Sequence, residues 1–157
     1  LGDVYKRQEV YWGNTCQQSC IYCGAHYSST IQQEEKRFGL FEKEGVKISD
    51  WWKKNPKIEE HTEMLFQWFE KHLHKLHKIM VMGGEPFLQK ETERMVRLLE
   101  RTSNPNLTLV IFSNLTVDPI RVQKWLARMW KLVEQRKLDN LQVVGSLDCS
   151  QVCRLLD

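Results

Sequence analysis

What most limits the fold of this chain is an alternation of short apolar runs with amphipathic stretches, each run ending in a small polar motif. Residues 78–82 (Lys-Ile-Met-Val-Met) form a continuous apolar run closed by Gly83-Gly84. Unbroken runs of this kind mark strands buried on both faces, as in a parallel sheet. Residues 107–112 repeat the pattern and end in Ser113-Asn114, and residues 141–147 repeat it before Asp148. A shorter β-prone stretch, 9–13, contains Val10, Tyr11 and Trp12 and leads straight into a cysteine-rich loop.

Between the runs the spacing predicts helices. Over 59–77, Met64, Leu65, Trp68, Phe69, Leu73 and Leu76 recur at helical intervals. Residues 89–101 do the same with Met95, Leu98 and Leu99, and Ser103-Asn104-Pro105-Asn106 reads as the closing turn. Asp118 as N-cap and Pro119 at the first helical position start another helix, running through Ile120, Trp125, Met129, Trp130 and Val133 to about 136. Residues 29–58 show no clear period and contain Trp51-Trp52 and Pro56. Four strands alternating with helices specify an α/β fold, a parallel sheet built by right-handed crossovers. Such sheets gather ligands at the carboxyl ends of their strands, which is where all the polar motifs fall.

The cysteine loop is the most chemically specific of these motifs. Cys16, Cys20 and Cys23 form a Cys-x3-Cys-x2-Cys run. Three closely spaced thiolates can hold three irons of a four-iron cluster and leave the fourth iron open to an exogenous molecule. Two other readings stay open. A structural zinc site needs four ligands, and His26 would have to complete a single Cys-x2-Cys knuckle. The thiols can also be structural or incidental. Disulfides fit poorly, since the chain has 5 cysteines with three crowded together.

Composition excludes other classes. At 157 residues the chain is one domain's worth, 41% hydrophobic and 27% charged. No apolar run approaches the ~18 residues of a membrane span. A net charge of +3 with interleaved acids, as in Glu34-Glu35-Lys36-Arg37, gives no basic stripe for nucleic acid. Clustered thiols without a targeting segment point to a cytoplasmic location. Residues 1–8 and 151–157 resemble translated adapter sequence and are set aside from the fold, leaving a core at 9–150. Genuine termini are the alternative.

The cysteine run with Tyr22 before its last member, and Gly83-Gly84-Glu85-Pro86 some 60 residues downstream, together resemble the radical S-adenosylmethionine (radical SAM) superfamily. The resemblance covers roughly 9–150. It is closest in character to members with a twitch or SPASM-type extension, which is not found in this sequence. It implies a partial (β/α)6 TIM-like barrel of the radical SAM type, of which about four strands are present, the N-terminal part of the core.

The resemblance implies two cofactors, a 4Fe-4S cluster on Cys16, Cys20 and Cys23, and S-adenosylmethionine. Reductive cleavage of the latter gives a 5′-deoxyadenosyl radical, which abstracts hydrogen from an unidentified substrate such as a peptide or nucleotide. It implies a flavodoxin- or ferredoxin-type electron donor and no membrane partner. Carried over by motif, Gly83 and Gly84 let the backbone approach the cofactor, Glu85 and nearby carbonyls accept from its ammonium, and Pro86 fixes the turn. Tyr22 packs by the adenine. Ser113 and Asn114 match a third-strand Ser-Asn element at the pocket. Ser146 and Asp148 match a fourth-strand S-x-D segment reaching ribose or carboxylate, although Cys149 stands where the family often has glycine. No protein acid or base is assigned. His61, His72, His74 and His77 read as solvated or boundary residues. A binding module stabilised by zinc or a cluster, without catalysis, is the alternative function.

Overall fold

The computed structural model describes residues 6–39 and 57–146. Strands β1 (Arg7–Tyr11), β2 (Lys78–Met82), β3 (Asn104–Ser113) and β4 (Leu138–Gly145) form one sheet in sequential order, every neighbour parallel. Helices α1 (Ser29–Phe38), α2 (Ile58–His72), α3 (Lys90–Arg101) and α4 (Pro119–Glu134) lie between them in sequence. The fold is the expected α/β sheet, an open four-stranded part of a barrel.

Sequential parallel order has a geometric consequence. Right-handed crossovers that always step in one direction place all their helices on the same side of the sheet. The burial pattern agrees. Ile79, Val81, Leu109 and Ile111 alternate onto one face and share a core with Phe66, Phe69, Met95, Leu99 and Met129 from the helices. The intervening residues turn to the other face, where Met80, Met82 and Phe112 are half-buried and Tyr11 and Val144 exposed. Val110, buried on that same alternate register, stands outside the helix-side core. The uncovered face is therefore the one a barrel would turn inward.

Element boundaries differ from expectation in instructive ways. β1 opens at Arg7, and Arg7 and Gln8, which the sequence reading sets aside, pair with Lys78 and Ile79. The helix expected over 59–77 stops at His72 and passes into a short 3-10 turn, Leu73–Lys75. β3 starts at Asn104, inside the stretch read as a turn. The Asn104 side chain is buried and donates to the carbonyls of Leu73 and Leu76, both at 2.7 Å, closing the end of that turn. β4 begins at Leu138 rather than 141. α1 falls in the stretch without a period. It is capped by Ser28, whose hydroxyl accepts from Ile31 N, and closed by Gly39 at φ 58°. Trp51, Trp52 and Pro56 lie outside the described residues.

Candidate functional site

The motifs meet at the carboxyl ends of the strands. Past Met82 the chain turns through Gly83 and Gly84, at φ 86° and 52°, a region L side chains rarely adopt. A Cβ on Gly84 would stand 2.4 Å from the Thr15 carbonyl oxygen, and one on Gly83 would stand 2.4 Å from the Tyr11 ring. The glycines thus seat the second-strand turn directly against the start of the cysteine loop. Glu85 N donates to Thr15 O at 2.8 Å, and Gln89 Nε2 bridges Gly83 O and Gly13 O.

Glu85 is fully buried, and its carboxylate is turned into the protein. It accepts from Phe87 N at 3.1 Å, from Ser113 Oγ at 2.9 Å and from Asn114 N at 2.9 Å. In this structure the acceptor role expected toward a ligand ammonium is taken by these donors. Glu85 ties the ends of β2 and β3 together, and Ser146 N adds β4 through Ser113 O at 2.8 Å. Pro86 is buried at the start of the next turn. Asn114 caps the chain beyond, its Oδ1 accepting from Thr116 N and Thr116 Oγ1. Leu115 between them has φ 55°, a strained value for leucine.

The cysteine loop hangs from this frame at one end. The first residues of α1 hold its early part: Cys16 N donates to Ser29 Oγ, and Cys16 O accepts from Ser29 Oγ and Thr30 Oγ1. Ser28 Oγ donates to Gln18 O, while Gln17 and Gln18 reach across to Thr116. Asn114 Nδ2 lies 3.6 Å from Cys16 Sγ. Beyond Gln18 the loop is more open. Cys23 N closes a turn on Cys20 O, and the Cys20 and Cys23 thiols donate to Gln18 Oε1 and Gly24 O. Ile21 and Tyr22 point to solvent at 94% and 68% exposure.

None of the three cysteines is in a disulfide, and all are half-buried. Among the described residues, no three His, Cys, Asp or Glu side chains converge at metal-holding distance. The Cys23 thiol nevertheless senses Cys16. Burial first, and then repulsion from Cys16, pushes the Cys23 thiol above its usual range, while the Gly24 backbone hydrogen bond pulls it down. A bound cation reverses that balance, since coordination deprotonates a thiol. Three thiols on one loop, with exposed residues between them, fit a thiophilic cluster as a donor set.

Tyr11 and Tyr27 lie beside this turn with ring centroids 5.4 Å apart, and His26 packs on Tyr27 at 4.0 Å. Burial, Tyr27 and Cys23 together raise the Tyr11 hydroxyl pKa. Of the other histidines, His61, His74 and His77 are exposed and His72 is half-buried against Trp68. Ser146 is exposed, and Asp148 lies outside the described residues. The sequence reading missed Ser28, Ser29, Thr30, Gln17, Gln18, Gln89 and Thr116. Only the Ser28 cap, with Gly39 closing the helix, carried a readable signal. A cleft of about 540 Å³ lined by Trp12, Glu63, Lys90 and Arg94 among others includes none of the three cysteines. No helix among the described residues is long and apolar enough to cross a membrane.

Among curated proteins and among solved structures, none matches the chain. The family model described as Radical SAM superfamily matches residues 10–143. That span starts in β1, takes in the cysteine loop, the Gly83–Gly84 turn and the Ser113–Asn114 corner, and ends in β4. With most of its length so matched, on a sheet of the expected topology, this chain belongs to the radical SAM superfamily.

Proposed function

We propose that this chain is the core of a radical SAM enzyme in which Cys16, Cys20 and Cys23 hold a 4Fe-4S cluster with one iron left for S-adenosylmethionine. The observation that carries the reading is the meeting of the cysteine loop with the Gly83–Gly84 turn. There, absent side chains and the Glu85 N to Thr15 O bond bring the two family motifs into backbone contact. When bound, the cluster and S-adenosylmethionine supply reductive cleavage to a 5′-deoxyadenosyl radical, which abstracts hydrogen from the substrate.

The residues of the chain bind and orient. Gly83 and Gly84 let the turn close against Tyr11 and Thr15, and their backbone is assigned to the cofactor. Glu85 holds the ends of β2 and β3 in register from beneath, so its contribution to the cofactor is made through the backbone it fixes. Ser113 is spent on Glu85 and on Leu115 N. Asn114 has its amide engaged by Thr116, Gln17 and Cys16; the exposed Ser146 and Tyr22 remain for the cofactor, with Asp148 assigned to the same role. The exposed Tyr11, with Met82, Phe112 and Val144 in register beside it on the uncovered face, supplies a largely apolar wall. Substrate, a peptide or a nucleotide, enters from that side. The reaction class is an oxidoreductase or transferase, and the electron comes from a flavodoxin- or ferredoxin-type donor.

Anaerobic reconstitution with iron and sulfide tests this. The expected result is a brown protein whose spectrum changes on adding S-adenosylmethionine, and which releases 5′-deoxyadenosine under dithionite. A colourless protein that takes up zinc and leaves S-adenosylmethionine intact would support the binding-module reading instead.

A further inference from the structure

We infer that Asn114 raises the reduction potential of the cluster by donating its side-chain N–H to the Cys16 sulfur, and that Glu85 is the positioning residue that holds it there. The inference rests on the reading above, in which Cys16 is a cluster ligand.

The orientation of the Asn114 amide follows from its neighbours. Thr116 N is a backbone donor and can only meet an oxygen, and it lies 3.0 Å from the atom assigned as Oδ1. Thr116 Oγ1 at 2.8 Å and Gln17 Nε2 at 3.3 Å converge on the same atom. The other end of the amide is therefore the NH2 group, and it faces Cys16 Sγ at 3.6 Å, a normal reach for a donor to the larger sulfur atom. Flipping the amide would set NH2 against the Thr116 N–H and Gln17 Nε2, two donors that an NH2 group cannot satisfy.

Its placement is over-determined. Asn114 N donates to Glu85 Oε2, Ser113 Oγ donates to Glu85 Oε1, and Leu115 N returns to Ser113 Oγ at 3.0 Å. Leu115 adopts its left-handed conformation within this set of bonds, and such strain persists only where surrounding contacts enforce it. Glu85 and Ser113 are buried to within 1%, so the bonds form away from competing water. The Cys20 and Cys23 thiols donate to Gln18 Oε1 and Gly24 O, while Cys16 Sγ is approached by the Asn114 amide.

Hydrogen bonds to the sulfurs of an iron–sulfur site stabilise its more negative, reduced state, and outer partners of this kind tune potential and orient the ligand. Asn114 is placed to do the first and Glu85 the second.

The test is a potentiometric titration of the reconstituted cluster, followed by electron paramagnetic resonance and normalised to iron and sulfide content. Asn114→Asp keeps an oxygen for Thr116 and removes the donor to Cys16. Asn114→Ala removes the donor without adding charge. Both should lower the potential, so that the reduced fraction at a fixed poise falls about tenfold, about 59 mV for one electron. Glu85→Gln should shift it in the same direction by less. Thr116→Val loosens the same corner but leaves the donor, and should leave the potential in place. Wild-type potentials in both fully loaded Asn114 variants would overturn the inference, as would an equal shift in Thr116→Val. If the wild-type protein takes up no cluster, the proposed function itself fails. If the cluster forms and cleaves S-adenosylmethionine while the Asn114 variants keep its potential, only this inference fails.

Discussion

Two polar regions sit side by side at the same end of the sheet, and they are built in opposite ways. The corner made by Glu85, Ser113 and Asn114 is buried and closed, with three protein donors on one carboxylate. The turn from Cys20 to Gly24 is half-exposed, and among the described residues no three metal-ligating side chains converge. The first region is finished by folding alone. The second, under the proposed function, has its ligands organised by the metal it binds. That division makes physical sense: metal binding supplies its own ordering energy at the site, whereas the frame must exist beforehand to place Cys16. A fixed strand-end corner and an adaptable thiol turn are coupled through Thr15, Cys16 and Asn114.

The largest expected effect on stability comes from breaking the closed corner. Glu85→Ala strands three buried donors, at roughly 1–3 kcal/mol for each unsatisfied group. A loss of about 4 kcal/mol is expected, lowering Tm by about 8–16 °C for a chain of this size. A fall in Tm of only a degree or two in thermal unfolding would show that the corner is no more fixed than the turn.

Next comes the seam between the regions. In Gly84→Ala the new Cβ meets backbone at Thr15 and Asn14, which cannot swing aside, so about 2–3 kcal/mol is expected. Iron uptake should fall with it, because the cysteine loop must move. Gly83→Ala meets the exposed Tyr11 ring, which can yield, and should cost about 1 kcal/mol. Chemical denaturation of the pair measures the difference, and equal costs would contradict the seam.

A third test uses charge remote from both regions. Hydrogen bonds to Arg128 hold the Glu93 and Glu100 carboxyls below their ordinary range, joining α3 to α4. Since their folded values are depressed, the stability they give is fully present above an unfolded value of about 4.3 and is lost as pH falls through the folded ones. Urea midpoints should therefore drop in that acid window, and Arg128→Met should flatten the drop. If the variant keeps the wild-type slope, the acid sensitivity lies elsewhere.

The smallest effect is reserved for the open turn. Cys20→Ser and Cys23→Ser in the metal-free protein should change stability by no more than about 0.5 kcal/mol, as for partly exposed positions outside the core. A loss comparable to Glu85→Ala would mean that the thiols are structural.

How much of this was readable in the sequence follows the same division. β2 and the middle of β3 were legible because unbroken apolar runs leave few alternatives to a buried strand, and α4 because Asp118 and Pro119 announce its start. The Gly-Gly turn was legible because two adjacent glycines after an apolar run permit a left-handed backbone, whereas the cysteine spacing names candidate ligands without fixing their geometry. α1 was not, since it has no buried residue and so no apolar stripe to give it a period. Asn104 looked like a turn residue because its partners, the Leu73 and Leu76 carbonyls, lie 31 and 28 residues away. Glu85 shows the same limit. A motif names the residue, but the direction of its carboxylate was decided by Ser113 and Asn114, which only the sheet brings beside it.

The central claim, Cys16 on the fixed frame and Cys20 and Cys23 on the open turn together holding an iron–sulfur cluster, is tested most directly by metal analysis. Wild-type protein and Cys16→Ala, Cys20→Ala and Cys23→Ala are reconstituted anaerobically, then assayed for iron and acid-labile sulfide alongside far-UV circular dichroism. Wild type should bind about four irons, and each variant should lose most of them while keeping its secondary structure. Undiminished iron and sulfide in all three variants would contradict the account.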